Sequence, residues 1–333
     1  MDRMEFIHSI TRTKVLETKL LSRAKIDRII DAKDVDDVLK ALNETEYSNS
    51  FSGVSGANDY EVILSNELKR VYNLMREVSP DPRVVDLLAL KYDYHNLKVL
   101  VKETEYDKDF SDLYVPVATI DPKELRQAYI EQDFEQIPQE FQNALEAVLK
   151  DLQETKDPQR IDLIFDKYYF SHLYNMALAT KVDLFINYVR DLIDFTNIKS
   201  AIRLKKQNKD FKFYDDAILE NGNIDKEDIL STFNDSIDDM INKFKNTKIS
   251  TNLIMGLDSY KETERLTDFE KYMDDYLMEL NKESKLINFG PEPIFSYIVA
   301  KEAEIKTLRI ILVAKLNNLS PEVIRERVRE LYV

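Results

Sequence analysis

The chain has 333 residues, 44% of them hydrophobic, enough for one large or two to three ordinary domains with true cores. Its 62 acidic and 47 basic side chains leave a formal charge of −15, which repels phosphate backbones and anionic headgroups, so neither nucleic-acid binding nor direct lipid insertion is expected. The lack of cysteine excludes disulfides, thiolate nucleophiles and cysteine-ligated zinc.

Five glycines and nine prolines are too few for a turn-rich protein, and no segment alternates with period two. The expected class is all-α. The first residues, MDRMEFIHSI, lack the apolar core of a leader, and the most apolar stretch, Ile310 to Ala314, is far too short to cross a bilayer. A soluble chain without a cleavable signal is expected, held at any membrane only by a partner. Further on, Val62, Leu64, Leu68, Val71, Leu74, Met75 and Val78 recur at helical spacing, as do Leu87, Leu90, Tyr94, Leu97 and Val101. Turn residues predict loops at 48–58, 79–82, 158–162, 219–225 and 288–293. After the last of these, Pro291 and Pro293 bracket Glu292 in a turn able to start a helix. Ser320, Pro321 and Glu322 then predict the cap of a final helix carrying Arg325, Arg327 and Arg329.

A repeat underlies this order. DYHNLK at 93–98 returns as DFTNIK at 194–199, aligning Asp93 with Asp194, Asn96 with Asn197, Lys98 with Lys199, and Lys102 with Arg203. A weaker third copy, EAEIKTLRI, puts Lys301 and Glu304 where the Asp and Asn stood. The spacing predicts three helical units, 1–105, 106–210 and 211–333. Asp93, His95 and Asn96 resemble a chemical site, but Thr196 replaces the histidine in the second copy. The shared Asp and Asn therefore read as a polar pair beside an apolar stripe, satisfying backbone groups at a helix contact. Asn96 and Asn197 are expected to be buried, hydrogen-bonded and equivalent.

The enzymatic alternative rests on acidic pairs: Asp36 and Asp37, Asp238 and Asp239, Asp274 and Asp275. All-α isoprenoid synthases bind magnesium diphosphate through aspartates three or four residues apart on facing helices. Here Asp274 and Glu279 are five apart, and Asp239 is followed by Asn242 and Lys243, so the pattern is incomplete and solvated helix faces explain it. Gly53 and Gly56 have no following Lys-Ser or Lys-Thr of a phosphate loop. His8, His95 and His172 lack metal-ligand spacing, and Lys205, Lys206 and Lys209 read as a solvated helix end. No catalytic, cofactor or metal residue is expected.

The carboxy-terminal stretch resembles that of the C subunits of V-type (also called A-type) ATPases, counterparts of the eukaryotic d subunit. The resemblance rests on Gly290, Pro291, Glu292 and Pro293, then Lys301, Glu302, Glu304, Ile305 and Arg309, and finally Arg325, Arg329 and Tyr332. It extends over the chain through Leu20, Leu21, Leu39, Leu42, Thr45 and Tyr47, and through the two Asp-x-x-Asn helices, including Lys98, Lys199 and Arg203. It implies a funnel-shaped protein of three helical units about a pseudo-threefold axis. Such a protein sits on the cytoplasmic side of the membrane rotor ring, receives the central shaft, and couples ATP turnover to proton or sodium transport, or the reverse, without an active site. No partner-contact residue carries over, and the ion is chosen in the ring. A generic helical adaptor is the remaining alternative.

Overall fold

The computed structural model describes residues 1–54, 56–131 and 133–333, and among them there is helix but no strand. The α-helices are α1 (Ile7–Glu17), α2 (Arg23–Asp31), α3 (Val35–Asn43), α4 (Tyr60–Val78), α5 (Arg83–Tyr106), α6 (Pro122–Glu131), α7 (Gln139–Thr155) and α8 (Gln159–Thr180). They continue as α9 (Asp183–Lys206), α10 (Phe211–Ala217), α11 (Lys226–Leu230), α12 (Ile237–Phe244), α13 (Ser250–Thr263), α14 (Leu266–Lys282), α15 (Glu292–Leu316) and α16 (Pro321–Arg327). Short 3₁₀ turns fill several connections. The chain forms two compact units, Met1–Val85 with Ser236–Val333, and Asp86–Asp235.

In the first unit α15 is the central helix. Every residue from Pro291 to Lys301 is buried, so its first half is covered all round, as expected where apolar residues occupy every face. Around it pack α1, α3, α4, α14 and α16. The core joins Ile26, Ile30, Val38 and Leu42 from α2 and α3 to Ile63 and Leu64 of α4 and to Leu308, Ile311 and Ile324 near the other end of the chain. Each such side chain contributes about 1.5–3 kcal/mol on burial. The second unit centres on Tyr94 of α5, whose ring lies 5.2 Å from Phe141 and 5.7 Å from Tyr169.

Several sequence expectations need correction, the loop placed at 288–293 among them, since α15 already begins at Glu292. The loop placed at 158–162 is confined to 156–158: Lys156 ends α7 in the left-handed region (φ 53°), and Pro158 takes the position before α8. Proline at a helix start loses no hydrogen bond, so it opens this helix rather than interrupting it. At the other end α16 stops at Arg327, leaving Arg329 beyond it, and Ser320 precedes the helix without a side-chain capping bond. Ser55, within the loop expected at 48–58, lies outside the described residues.

Candidate functional site

The repeated Asp and Asn form the same device twice. The Asn96 carboxamide donates to Val115 O (3.0 Å) and accepts from Val115 N (2.9 Å); Asn197 does the same with Leu219 O (2.9 Å) and N (2.8 Å). One turn earlier, Asp93 accepts from the N–H groups of Thr119 and Ile120, and Asp194 from those of Asn223 and Ile224. Helical spacing puts both polar groups on one face, and together they clamp an irregular segment that leads into a short helix, α6 or α11. The groups satisfied belong to this loop and not to a helix contact, because the loop's N–H and C=O groups have no ladder partner of their own. Asn96 and Asn197 are both buried.

Burial drives the Asp93 carboxyl up to about 6 despite the N–H groups of Ile120 and Thr119, and drives Asp194 up to about 6 despite Ile224 and Asn223. Asp93 Oδ2 is buried without a hydrogen-bond partner. Gly222 closes the second clamp: a Cβ there would collide with Asp194 Oδ1 and lie 3.3 Å from Ile193 Cγ2. His95 is exposed, its Nε2 2.9 Å from Leu113 O, outside the clamp. His172 lies beside Tyr94, and burial lowers its pKa.

Around the third copy the chemistry changes but the task persists. Glu304 accepts from the backbone N–H of Leu21 (2.5 Å), in the turn leading into α2, and from Tyr47 Oη (2.9 Å). Lys301 bridges Glu304 (2.7 Å) and Glu67 (2.9 Å), with its ammonium 4.6 Å from the Tyr47 ring centroid. Glu67 also holds Arg70 (2.8 Å) and Ser50. Burial alone would lower the Lys301 pKa, but Glu304 and Glu67 outweigh it and keep it above the ordinary lysine value. Burial likewise pushes the Tyr47 hydroxyl up, helped by Glu304. Sequence reading missed Glu67, Arg70 and the role of Tyr47; a carboxylate within the apolar stripe of α4 was the available signal.

The remaining motif residues have structural partners as well. Gly290 adopts φ 124°, and its carbonyl neighbour Phe289 accepts from Arg3, which also pairs with Glu292 (2.7 Å). Pro291 precedes α15 and Pro293 lies in its first turn. Glu302 accepts from Tyr72 Oη (2.7 Å), Arg309 meets Glu61 and Arg325 meets Asp31 (both 2.5 Å), and Arg329 meets Asp274 (3.1 Å). Lys98 pairs with Asp166 (2.6 Å). Lys199 is half-buried one turn from Arg203, which is exposed.

The acidic pairs do not converge. Asp238 holds Lys261, Asp239 caps α12 with Ser236, Asp274 takes Lys306 and Arg329, and Asp275 accepts from Glu330 N. In α3, Asp37 pairs with Lys40 (2.9 Å). Among the described residues no three His, Cys, Asp or Glu side chains are arranged to hold a metal, and no helix is long and apolar enough to cross a membrane.

The chain is 26% identical over 317 residues to the C subunit of the V-type sodium ATPase of Enterococcus hirae, covering 95% of each chain. It is 25% identical over 346 residues to the C subunit of the A-type ATP synthase of Methanocaldococcus jannaschii, covering 98% of this chain and 86% of that one. The equivalent Thermococcus onnurineus protein is 27% identical over 342 residues, covering 95% and 88%. The family model described as ATP synthase (C/AC39) subunit matches residues 9–327, which include all of the second compact unit, most of the first, and all three polar clusters. The chain therefore belongs to the ATP synthase (C/AC39) subunit family.

Proposed function

We propose that this component of a V/A-type rotary ATPase couples the central shaft to the membrane rotor ring, on the cytoplasmic side. It would serve ATP-driven H⁺ or Na⁺ transport, or ATP synthesis, without an active site of its own. The observation that carries this reading is the full-length likeness to the C subunits of V-type and A-type enzymes. The packing supports it physically. A part that transmits torque must resist shear, and the irregular segments before α2, α6 and α11 are each tied to a long helix by buried polar groups. The recurrence of that tie also supports a chain built from three related helical units, the third completed by the first residues.

The test is purification of the intact complex with and without this chain. The expected result is co-purification with both shaft and ring, and loss of ATP-driven ion transport on its removal while ATP hydrolysis by the catalytic head persists. Transport that survives without the chain, or a chain that does not co-purify with both partners, refutes the proposal.

A further inference from the structure

In the unit formed by 1–85 and 236–333, a groove of about 630 Å³ lies between the start of α14, the second half of α15 and the end of α16. Ile310, Val313, Ala314 and Asn317 form its floor, at the spacing of one helix face. Val313 is 41% exposed although it sits within a long helix. From Ile310 to Asn317, the residue that caps α15, the floor spans seven helical steps, about 10 Å, matching two turns of an opposing helix.

The rim is rich in cations although the chain as a whole is acidic. In a chain of charge −15, the groove gathers five cationic side chains against two acids, Asp268 and Glu326. Three of the cations are held by acids: Arg265 by Asp268 (2.8 Å), Arg309 by Glu61 (2.5 Å) and Arg329 by Asp274 (3.1 Å). Lys271 and Arg327 make no close ion pair among the described residues, although Asp275 feels the charge of Lys271 and Asp268 that of Arg327 at longer range; the Lys271 ammonium rests 5.8 Å from the Tyr272 ring centroid. An apolar helix face flanked by two cations without a close ion pair is complementary to a helix with an apolar stripe and acidic edges.

We infer that this groove docks an acidic amphipathic helix of another protein of the same complex; the identity of the host complex rests on the function proposed above. Carboxylates along the helix edges form charge-assisted hydrogen bonds with Lys271 and Arg327, while its stripe covers Val313 and Ile310. A flat anionic lipid surface would meet the rim but leave the concave apolar floor open.

The native chain has no cysteine, which makes a single-site probe possible. Val313→Cys, labelled with a benzophenone maleimide and returned to the remainder of its ATPase, is photolysed and the adduct sequenced by mass spectrometry. The expected adduct is a segment with an excess of Asp and Glu and apolar residues at helical spacing. The double variant Lys271→Glu, Arg327→Glu, at one half-buried and one exposed position, lowers the adduct yield by about tenfold while leaving the circular dichroism unchanged. A basic segment, a lipid, no adduct, or an unchanged yield overturns the inference. As a measurement independent of assembly, the isolated chain should bind a Leu-striped, Glu-rich helical peptide of about four turns at least about tenfold more tightly than its Lys-rich counterpart. Equal binding also overturns it. A complex that assembles and couples without an acidic adduct at position 313 refutes the groove alone; a chain that never joins shaft and ring refutes the coupling role.

Discussion

Replacing Asn197 with alanine tests the clamp most directly. The substitution removes two hydrogen bonds, 2.9 Å to Leu219 O and 2.8 Å from Leu219 N, at a site where both residues are buried. Each orphaned buried backbone group costs about 1–3 kcal/mol, and a water admitted to the vacated space offsets part of this, so a net loss of about 3 kcal/mol is expected. The parallel Asn96→Ala breaks the same two bonds at 3.0 and 2.9 Å, but Val115 is partly open to solvent, so about 1–2 kcal/mol is expected there. Native-state amide exchange reads the effect at the loop itself: the Leu219 N–H should exchange about a hundredfold faster in the variant, since each 1.4 kcal/mol is about tenfold. Urea unfolding supplies the global comparison between the two variants. If Asn197→Ala costs under about 0.5 kcal/mol, the range of surface substitutions, and leaves Leu219 protection unchanged, the carboxamide does not hold the loop.

Lys301→Met should destabilise the protein by about 3–5 kcal/mol at pH 7, because Glu67 and Glu304 lose the cation they share in a buried site. Combining it with Glu304→Gln should recover part of that loss in thermal unfolding, since one uncompensated carboxylate is removed; fully additive costs would contradict the charge argument. Asp93 and Asp194 each titrate near 6 in the fold against 3.8 ordinarily, so the native state binds more protons than the unfolded state between about pH 4 and 6. Their contribution is therefore most favourable below the ordinary carboxylate range and is lost as pH rises through 6, by up to about 3 kcal/mol each. The stability of wild type relative to Asp93→Asn, followed by urea titration from pH 4 to 7, should fall by that order; a flat or rising difference would sink the assignment. Gly222→Ala should cost about 2 kcal/mol or more by driving a methyl group into the Asp194 carboxylate, and pairing it with Asp194→Ala should recover part of the loss in a double-mutant cycle. Strict additivity of the two would count against that contact.

Helical class was legible because it is a local property: scarce Gly and Pro and apolar residues at spacings of three and four specify long helices wherever the chain travels. The repeat was legible for the same reason, and Asn96 and Asn197 do share one bonding pattern. Boundaries were less so: Pro158 carries the same turn signal whether it ends a helix or opens one, and only the packing of α8 distinguishes these. Sequence likewise offered no reason to connect Glu67 with Lys301, which meet across most of the chain.

The sequence by itself determined an acidic, cysteine-free, all-helical chain, a recurring Asp-x-x-Asn helix, and a carboxy-terminal motif similar to one family. What the polar positions bind was decided only in three dimensions. Asn96 reaches 19 residues ahead and Asn197 reaches 22, but Glu304 captures Leu21, 283 residues behind it. Such partners follow from the burial of α15 beside the start of the chain, where an unpaired N–H and an unpaired carboxylate would each be costly, and no local pattern records a contact closed over that distance.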